Sequence, residues 1–264
     1  MRILIIALLT IFSTLTLANR NVLRFHGYGT NDGISVGKVH KVFQDSRGFI
    51  WIATEDGLNL FDGYNFKVYR SISKDSTSLT GNKIFDIVED NHQNLWIATS
   101  NGLNTYNLVS GVFSSYTLTI NAQPTIQNEI RSLFICNDTI LLIGTHKQGL
   151  LKTNIKTQKT QKITLPENPE FIRKITCIDD QYYIGTHGCG FYEITKNFEK
   201  IKQIKPDTNN KSTYRNQVNT LLKHNETSFW VATENGIYEY NKTNGIHKEI
   251  TPVHLFKHTN EVIR

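Results

Sequence analysis

Two histidines stand at matching places in this chain, each directly after a Gly-Thr pair: Gly144-Thr145-His146 and Gly185-Thr186-His187. Imidazole changes charge near neutral pH, so such a pair could bind a metal ion or act as acid and base. Histidines in loops also hydrogen-bond local backbone, and no third ligand can be identified, which favours the turn-stabilising reading. Further polar candidates occupy the equivalent turns: Glu55 and Asp56, Ser100 and Asn101, Lys147 beside His146, Gly188 beside His187, and Glu234 with Asn235. Charge and shape vary among these positions while their flanks repeat. Variation on a constant frame is the pattern of a ligand-recognition face.

The three cysteines, Cys136, Cys177 and Cys189, are odd in number and match no metal-binding spacing. Cys136 and Cys177 each lie six residues before a repeat anchor, so they could approach one another. Neighbouring units of a repeat fold hold such pairs too far apart for a bridge, and buried free thiols are expected. No cofactor motif is found.

The frame that positions these groups is a block seen five times: WIATEDGLNLFD from Trp51, WIATSNGLNTYN from Trp96, LIGTHKQGLLKT from Leu142, YIGTHGCGFYEI from Tyr183 and WVATENGIYEYN from Trp230. The anchors are 45, 46, 41 and 47 residues apart. A period in this range, built from strand-like segments, predicts an all-β fold, a β-propeller of four-stranded antiparallel blades.

Each unit resolves into strands. An apolar first strand (Val39 to Phe43, Ile84 to Val88, Ile130 to Ile135, Ile172 to Ile178, Val218 to Leu222) ends in a polar turn, and the block itself is the second strand. A glycine turn follows, at Asp56-Gly57, Asn101-Gly102, Gln148-Gly149, Cys189-Gly190 and Asn235-Gly236. Three of these are pairs that tolerate positive φ at both central positions. The fourth strand is polar, as suits an outer edge. The block aromatics Trp51, Trp96, Tyr183 and Trp230 are expected to pack blade against blade. In such a ring the turns between second and third strands share a face with the loops between blades, so the candidate residues fall together.

Residues 1–18, MRILIIALLTIFSTLTLA, read as a secretory signal peptide, too short in its apolar core for a stable membrane span. Residues 19–264 then form a partial propeller. Asn260-Glu-Val-Ile-Arg264 matches the start of a first strand, and Arg24 to Tyr28 resembles a fourth strand without its blade. The expected object is therefore five blades plus the start of a sixth, the N-terminal piece of a longer protein; a closed five-bladed ring with a frayed tail is the alternative. Lys and Arg outnumber Asp and Glu, 29 to 23, but the excess is scattered, and an exported chain without a basic stripe argues against nucleic acid.

The opening Phe25 with Asp32 to Ser35 (DGIS), then QDSRGFIWIATEDGLNLFDGYNFKVY from Gln44 to Tyr69 and VEDNHQNLWIATSNGLNTYN from Val88, resemble the two-component regulator propeller family. The resemblance implies the periplasmic sensor region of a hybrid two-component histidine kinase, with the parent anchored in the inner membrane and dimeric. It further implies an oligosaccharide released from a glycan, or another small molecule, as ligand. Two function classes stand: a sensor that binds without turnover, and an exported propeller enzyme such as a lyase using His146, His187, Glu55 and Glu234.

Overall fold

Every repeated block folds as the second strand of a four-stranded antiparallel meander. The computed structural model describes residues 27–250 apart from 36, 121–122, 125–128, 207–215 and 246. Blade one comprises β1 (Val39–Gln44), β2 (Ile50–Thr54), β3 (Gly57–Phe61) and β4 (Phe66–Tyr69); blade two comprises β5 (Ile84–Glu89), β6 (Asn94–Thr99), β7 (Gly102–Asn107) and β8 (Val112–Tyr116). Two short strands, β9 (Thr119–Ile120) and β10 (Gln123–Pro124), then extend the outer edge of blade three, whose meander is β11 (Ile130–Asn137), β12 (Ile140–Thr145), β13 (Leu150–Asn154) and β14 (Thr160–Ile163). Blade four is β15 (Ile172–Ile178), β16 (Gln181–Thr186), β17 (Phe191–Thr195) and β18 (Ile201–Ile204). Blade five is β19 (Val218–Lys223), β20 (Ser228–Thr233), β21 (Gly236–Asn241) and β22 (His247–Ile250). First strands of successive blades lie against each other, so they form the inner wall of a β-propeller.

Two side chains of the block explain its recurrence. The threonine that closes each second strand (Thr54, Thr99, Thr145, Thr186, Thr233) donates its hydroxyl to the carbonyl of the turn glycine, at 2.7 to 3.0 Å. The same oxygen accepts a backbone N–H from within the turn, as from Asp56 at 3.1 Å and Gln148 at 2.8 Å. One hydroxyl thus satisfies two backbone groups of a tight reversal. Positive φ falls on the glycine alone, 125° at Gly57 and 119° at Gly102, and not on Asp56, Asn101 or Asn235. The turn expected to use positive φ at both central residues is corrected accordingly: the threonine hydroxyl holds the first one in ordinary backbone geometry.

Between first and second strands, Asp45 and Asp90 do a parallel job. Asp45 accepts the backbone N–H groups of Arg47 and Phe49 and the indole N–H of Trp51, and Asp90 does so for His92, Asn94 and Trp96. A buried carboxylate with this many donors is fully solvated by protein.

Four apolar clusters fill the four spaces between successive blades. Trp51 is wholly buried and meets Tyr106 of blade two edge-on at 5.2 Å; Tyr183 meets Phe229 of blade five at 4.8 Å. Gly144 replaces the alanine of other blocks because a Cβ there would come within 2.7 Å of Ile172 Cγ2 in the next blade. Trp230 departs from its expected role: it is 37% exposed and stacks on His224, since no described residue covers that side of blade five.

The signal peptide and the sixth-blade strand after Asn260 lie outside the described residues. Of the fourth strand expected over Arg24 to Tyr28, only Gly27 and Tyr28 are described; they are not in a strand, and Tyr28 packs on Phe61 and Phe66 of blade one. The cysteines are free thiols, half-buried rather than fully buried.

Candidate functional site

The same irregularity interrupts every first strand. Pairing with the second strand skips one residue in each blade, between Val39 and Lys41, Ile84 and Asp86, Ile130 and Ser132, Ile172 and Lys174, and Val218 and Thr220. A bulge of this kind re-aims the extra side chain. The five extra residues, His40, Phe85, Arg131, Arg173 and Asn219, all line one cavity of about 580 Å³ on the propeller axis. Five copies of one backbone device therefore bring five different chemistries to a single place.

The cavity opens on the face of the candidate turns. In each blade the first residue after the second strand donates its N–H to the carbonyl at the entry of the first strand: Glu55 to Lys38, Ser100 to Lys83, His146 to Glu129, His187 to Phe171 and Glu234 to Gln217. Glu55, His146, His187 and Glu234 are thereby set around the opening. Glu55 Oε1 lies 3.7 Å from His40 Nε2. His146 meets Phe171 edge-on at 4.4 Å and stands 4.0 Å from the Glu129 carboxylate, while His187 stacks on the same phenylalanine at 5.3 Å.

Arg173 organises the far side. One terminal nitrogen donates to Glu234 Oε1 at 2.6 Å and to Asn219 Oδ1, and the other donates to His187 Nδ1 at 2.8 Å. Because a guanidinium can only donate, Nδ1 must accept, which makes this imidazole neutral with its proton on Nε2. Burial and then the nearby Arg173 charge push the His187 pKa below its ordinary value; burial and then Lys38 do the same for His40. Arg131 pairs with Glu129 and lies over Phe85 at 4.1 Å and Phe171 at 5.2 Å.

The remaining candidates point elsewhere. Asp56 pairs with Arg70 at 2.9 Å at the outer end of blade one. Asn101 donates its amide to the Thr80 carbonyl at 3.1 Å, and Ser100 packs on Gly81, both against the loop that enters their own blade. Lys147 and Asn235 are exposed at the turn tips. These five follow the turn but not the axis; Ser100 shares the bond to the first-strand entry, but its side chain packs on Gly81 instead of turning inward. Sequence reasoning missed the bulge residues; the signal was there in their shared position, two residues into each apolar first strand, where polar or aromatic residues interrupt the pattern.

A second inward ring staples the blades. Buried Asp86 accepts from Leu133 N at 3.0 Å and Ser132 Oγ at 3.2 Å in blade three, and Lys41 of blade one lies 3.6 Å from its other oxygen. Ser132 Oγ in turn accepts Ile175 N of blade four at 3.0 Å. The axial wall is thus held by polar bonds from blade one to blade four.

Among the described residues no group of three His, Cys, Asp or Glu side chains is placed to hold a metal ion.

The family described as the two component regulator propeller matches residues 33–56 and 78–101. Two stretches of this chain thus resemble the two-component regulator propeller repeat. The matched stretches run from the loop entering each of the first two blades to the turn after the second strand. Each contains one end of a hook whose other end lies just beyond it: Asn59 Oδ1 accepts Ser35 N at 2.8 Å and Asn104 Oδ1 accepts Thr80 Oγ1 at 2.6 Å. The chain is 45% identical over 56 residues to Histidine kinase P4 of Formosa agariphila, a stretch covering 21% of this chain and 4% of that protein. It is also similar to the extracellular domain assigned to a hybrid two component system of B. thetaiotaomicron, at 28% identity and a TM-score of 0.71, covering 84% of this chain and 31% of that one. A second extracellular domain of this kind from B. thetaiotaomicron, at 18% identity and a TM-score of 0.60 over 81% of this chain and 36% of that one, shares the fold. The chain spans about a third of the length of these extracellular domains. No helix among its described residues is long and apolar enough to cross a membrane.

Proposed function

We propose that this propeller is part of the periplasmic ligand-sensing region of a hybrid two-component histidine kinase, and that it binds a glycan-derived oligosaccharide at the axial opening without turning it over. The observation that carries the reading is the repeated bulge, which presents a different side chain from each blade to one cavity. A rigid frame with varied chemistry at its centre suits recognition. Similarity to extracellular domains of two-component systems supports an exported location, with the parent anchored in the inner membrane and signalling as a dimer.

The histidines fit a binding role better than an enzymatic one. His187 is engaged as an acceptor of Arg173, and the His146 ring packs on Phe171, so neither is poised over an open space as a proton donor. In the intact parent, His146→Ala with His187→Ala should leave the protein folded and weaken, without abolishing, transcriptional response to an inducing oligosaccharide. Consumption of an oligosaccharide by the purified protein, abolished by the double substitution, would refute the reading.

A further inference from the structure

We infer that the axial opening selects an anionic ligand, an oligosaccharide bearing carboxylate or sulfate groups, whose oxygens are received between Arg131 and Arg173. The inference rests on the reading of this opening as the sensing site and specifies what that site recognises.

Three observations carry it. First, five basic side chains line the cavity, the two arginines and three lysines, against two acidic ones, Asp86 and Glu234. Both acids are already engaged: Asp86 by Ser132, Leu133 and its own neighbour Ile87, and Glu234 by Arg173. With Arg131 paired to Glu129, Arg173 to Glu234 and Lys41 near Asp86, the positive excess on the axis is carried by Lys38 and Lys174. In a partly dry cavity this excess attracts an anion more strongly than the same charge spread over a wet surface.

Second, the Nε–H groups of Arg131 and Arg173 are both buried without a hydrogen-bond acceptor, as is His40 Nε2 in the same cavity. Buried polar atoms without partners are uncommon, and the three such nitrogens all belong to residues lining this cavity. An oxyanion entering the cavity would supply acceptors to both arginines. Carboxylate and sulfate oxygens suit the planar guanidinium, which binds them more strongly than a neutral hydroxyl does.

Third, the arginines are held in position before any ligand arrives. Arg131 lies over the rings of Phe85 and Phe171, and Arg173 stands 5.4 Å from the centre of the Phe171 ring while its terminal nitrogens are fixed by Glu234, Asn219 and His187. Donors fixed in this way lose little side-chain entropy on binding.

The test is isothermal titration calorimetry on the purified protein with trigalacturonate (carboxylate), a κ-carrageenan tetrasaccharide (sulfate ester), neutral maltotriose and inorganic sulfate. Binding of either charged saccharide, at least tenfold tighter than maltotriose and weakened by added salt, is expected, and the better of the two identifies the anionic group. Arg131→Gln or Arg173→Gln should each weaken it on the order of 10- to 100-fold. Lys147→Gln, at an exposed turn tip, should leave it unchanged, and Arg131→Lys, which keeps the charge but not the fork, should lie between. Thermal melts of each variant separate lost binding from lost folding. Equal binding of maltotriose, undiminished by the arginine substitutions, would overturn the anion selectivity while leaving a sensing role in place. Failure of every anionic probe to bind would overturn it as well. Anion binding in a protein whose parent shows no transcriptional response to any saccharide would keep the anion site and refute the sensing role.

Discussion

The carboxylate of Asp45 accepts the indole N–H of Trp51 at 2.9 Å, joining the turn before the block to the aromatic that seals blade one against blade two. Asp45 and Trp51 are both buried, so the pair couples turn geometry to core packing. Asp45→Ala would leave the indole and two backbone N–H groups without an acceptor. It is expected to lower stability by about 2–4 kcal/mol, read from denaturant midpoints, with Asp45→Asn losing less. A loss below about 0.5 kcal/mol for the alanine variant would contradict the role.

Asp45 also gives the protein an acid limb. Burial opposes its charge, yet hydrogen bonds from Trp51 and Arg47 and the backbone of Phe49 outweigh burial and hold its pKa below the ordinary 3.8. The folded state therefore binds its proton less readily than the unfolded chain. The stability this contributes is complete above pH 3.8 and is lost as pH falls through the lower, folded-state value. Asp45→Asn should flatten the fall in melting temperature below pH 4, and an unchanged acid limb would count against the assignment.

The block tryptophans should differ in weight despite their shared position. Trp51→Ala empties a closed interface and is expected to cost about 3–5 kcal/mol. Trp230→Ala removes a ring that is 37% exposed and should cost clearly less, about 1–2 kcal/mol, mostly its stacking on His224. Equal losses in urea titrations would show that the two faces are packed alike.

His187 should titrate below its ordinary range, because burial and then Arg173 favour the neutral ring. Followed by the imidazole proton signals in NMR, its midpoint is expected below 6.5, and Arg173→Ala should raise it. The sign for stability is the same as for Asp45: what the neutral ring contributes is present above pH 6.5 and is lost as pH falls through the folded midpoint. A midpoint above 6.5 would refute the acceptor geometry at Nδ1.

The thiol of Cys136 is pushed up to about 11, chiefly by burial, so very little of it is thiolate at neutral pH. Alkylation by iodoacetamide at pH 7.5 should be on the order of 100-fold slower than for free cysteine. Labelling of Cys136 at the free-cysteine rate would show that the strand around it opens readily.

The sequence by itself determined the strands and their order, because the determinants are local. The closing threonines act within three or four residues and Asp45 and Asp90 within six, so the repeat could be read from spacing alone. The number of blades followed from the period, and the candidate turns from the block. Where those turns point was a tertiary matter. Glu55, His146, His187 and Glu234 face the axis and Asp56, Asn101 and Asn235 do not, although adjacent in sequence, because the first of each pair is tied to the entry of the inner strand; Ser100, tied in the same way, packs on Gly81 instead. The bulge that sends His40, Phe85, Arg131, Arg173 and Asn219 into one cavity depends on register between two strands, and their meeting depends on the successive blades being arranged around one axis. Residues about 45 apart in the chain become neighbours only through that packing, and the exposure of Trp230 likewise reflects what lies against its blade, which no residue within its own repeat could specify.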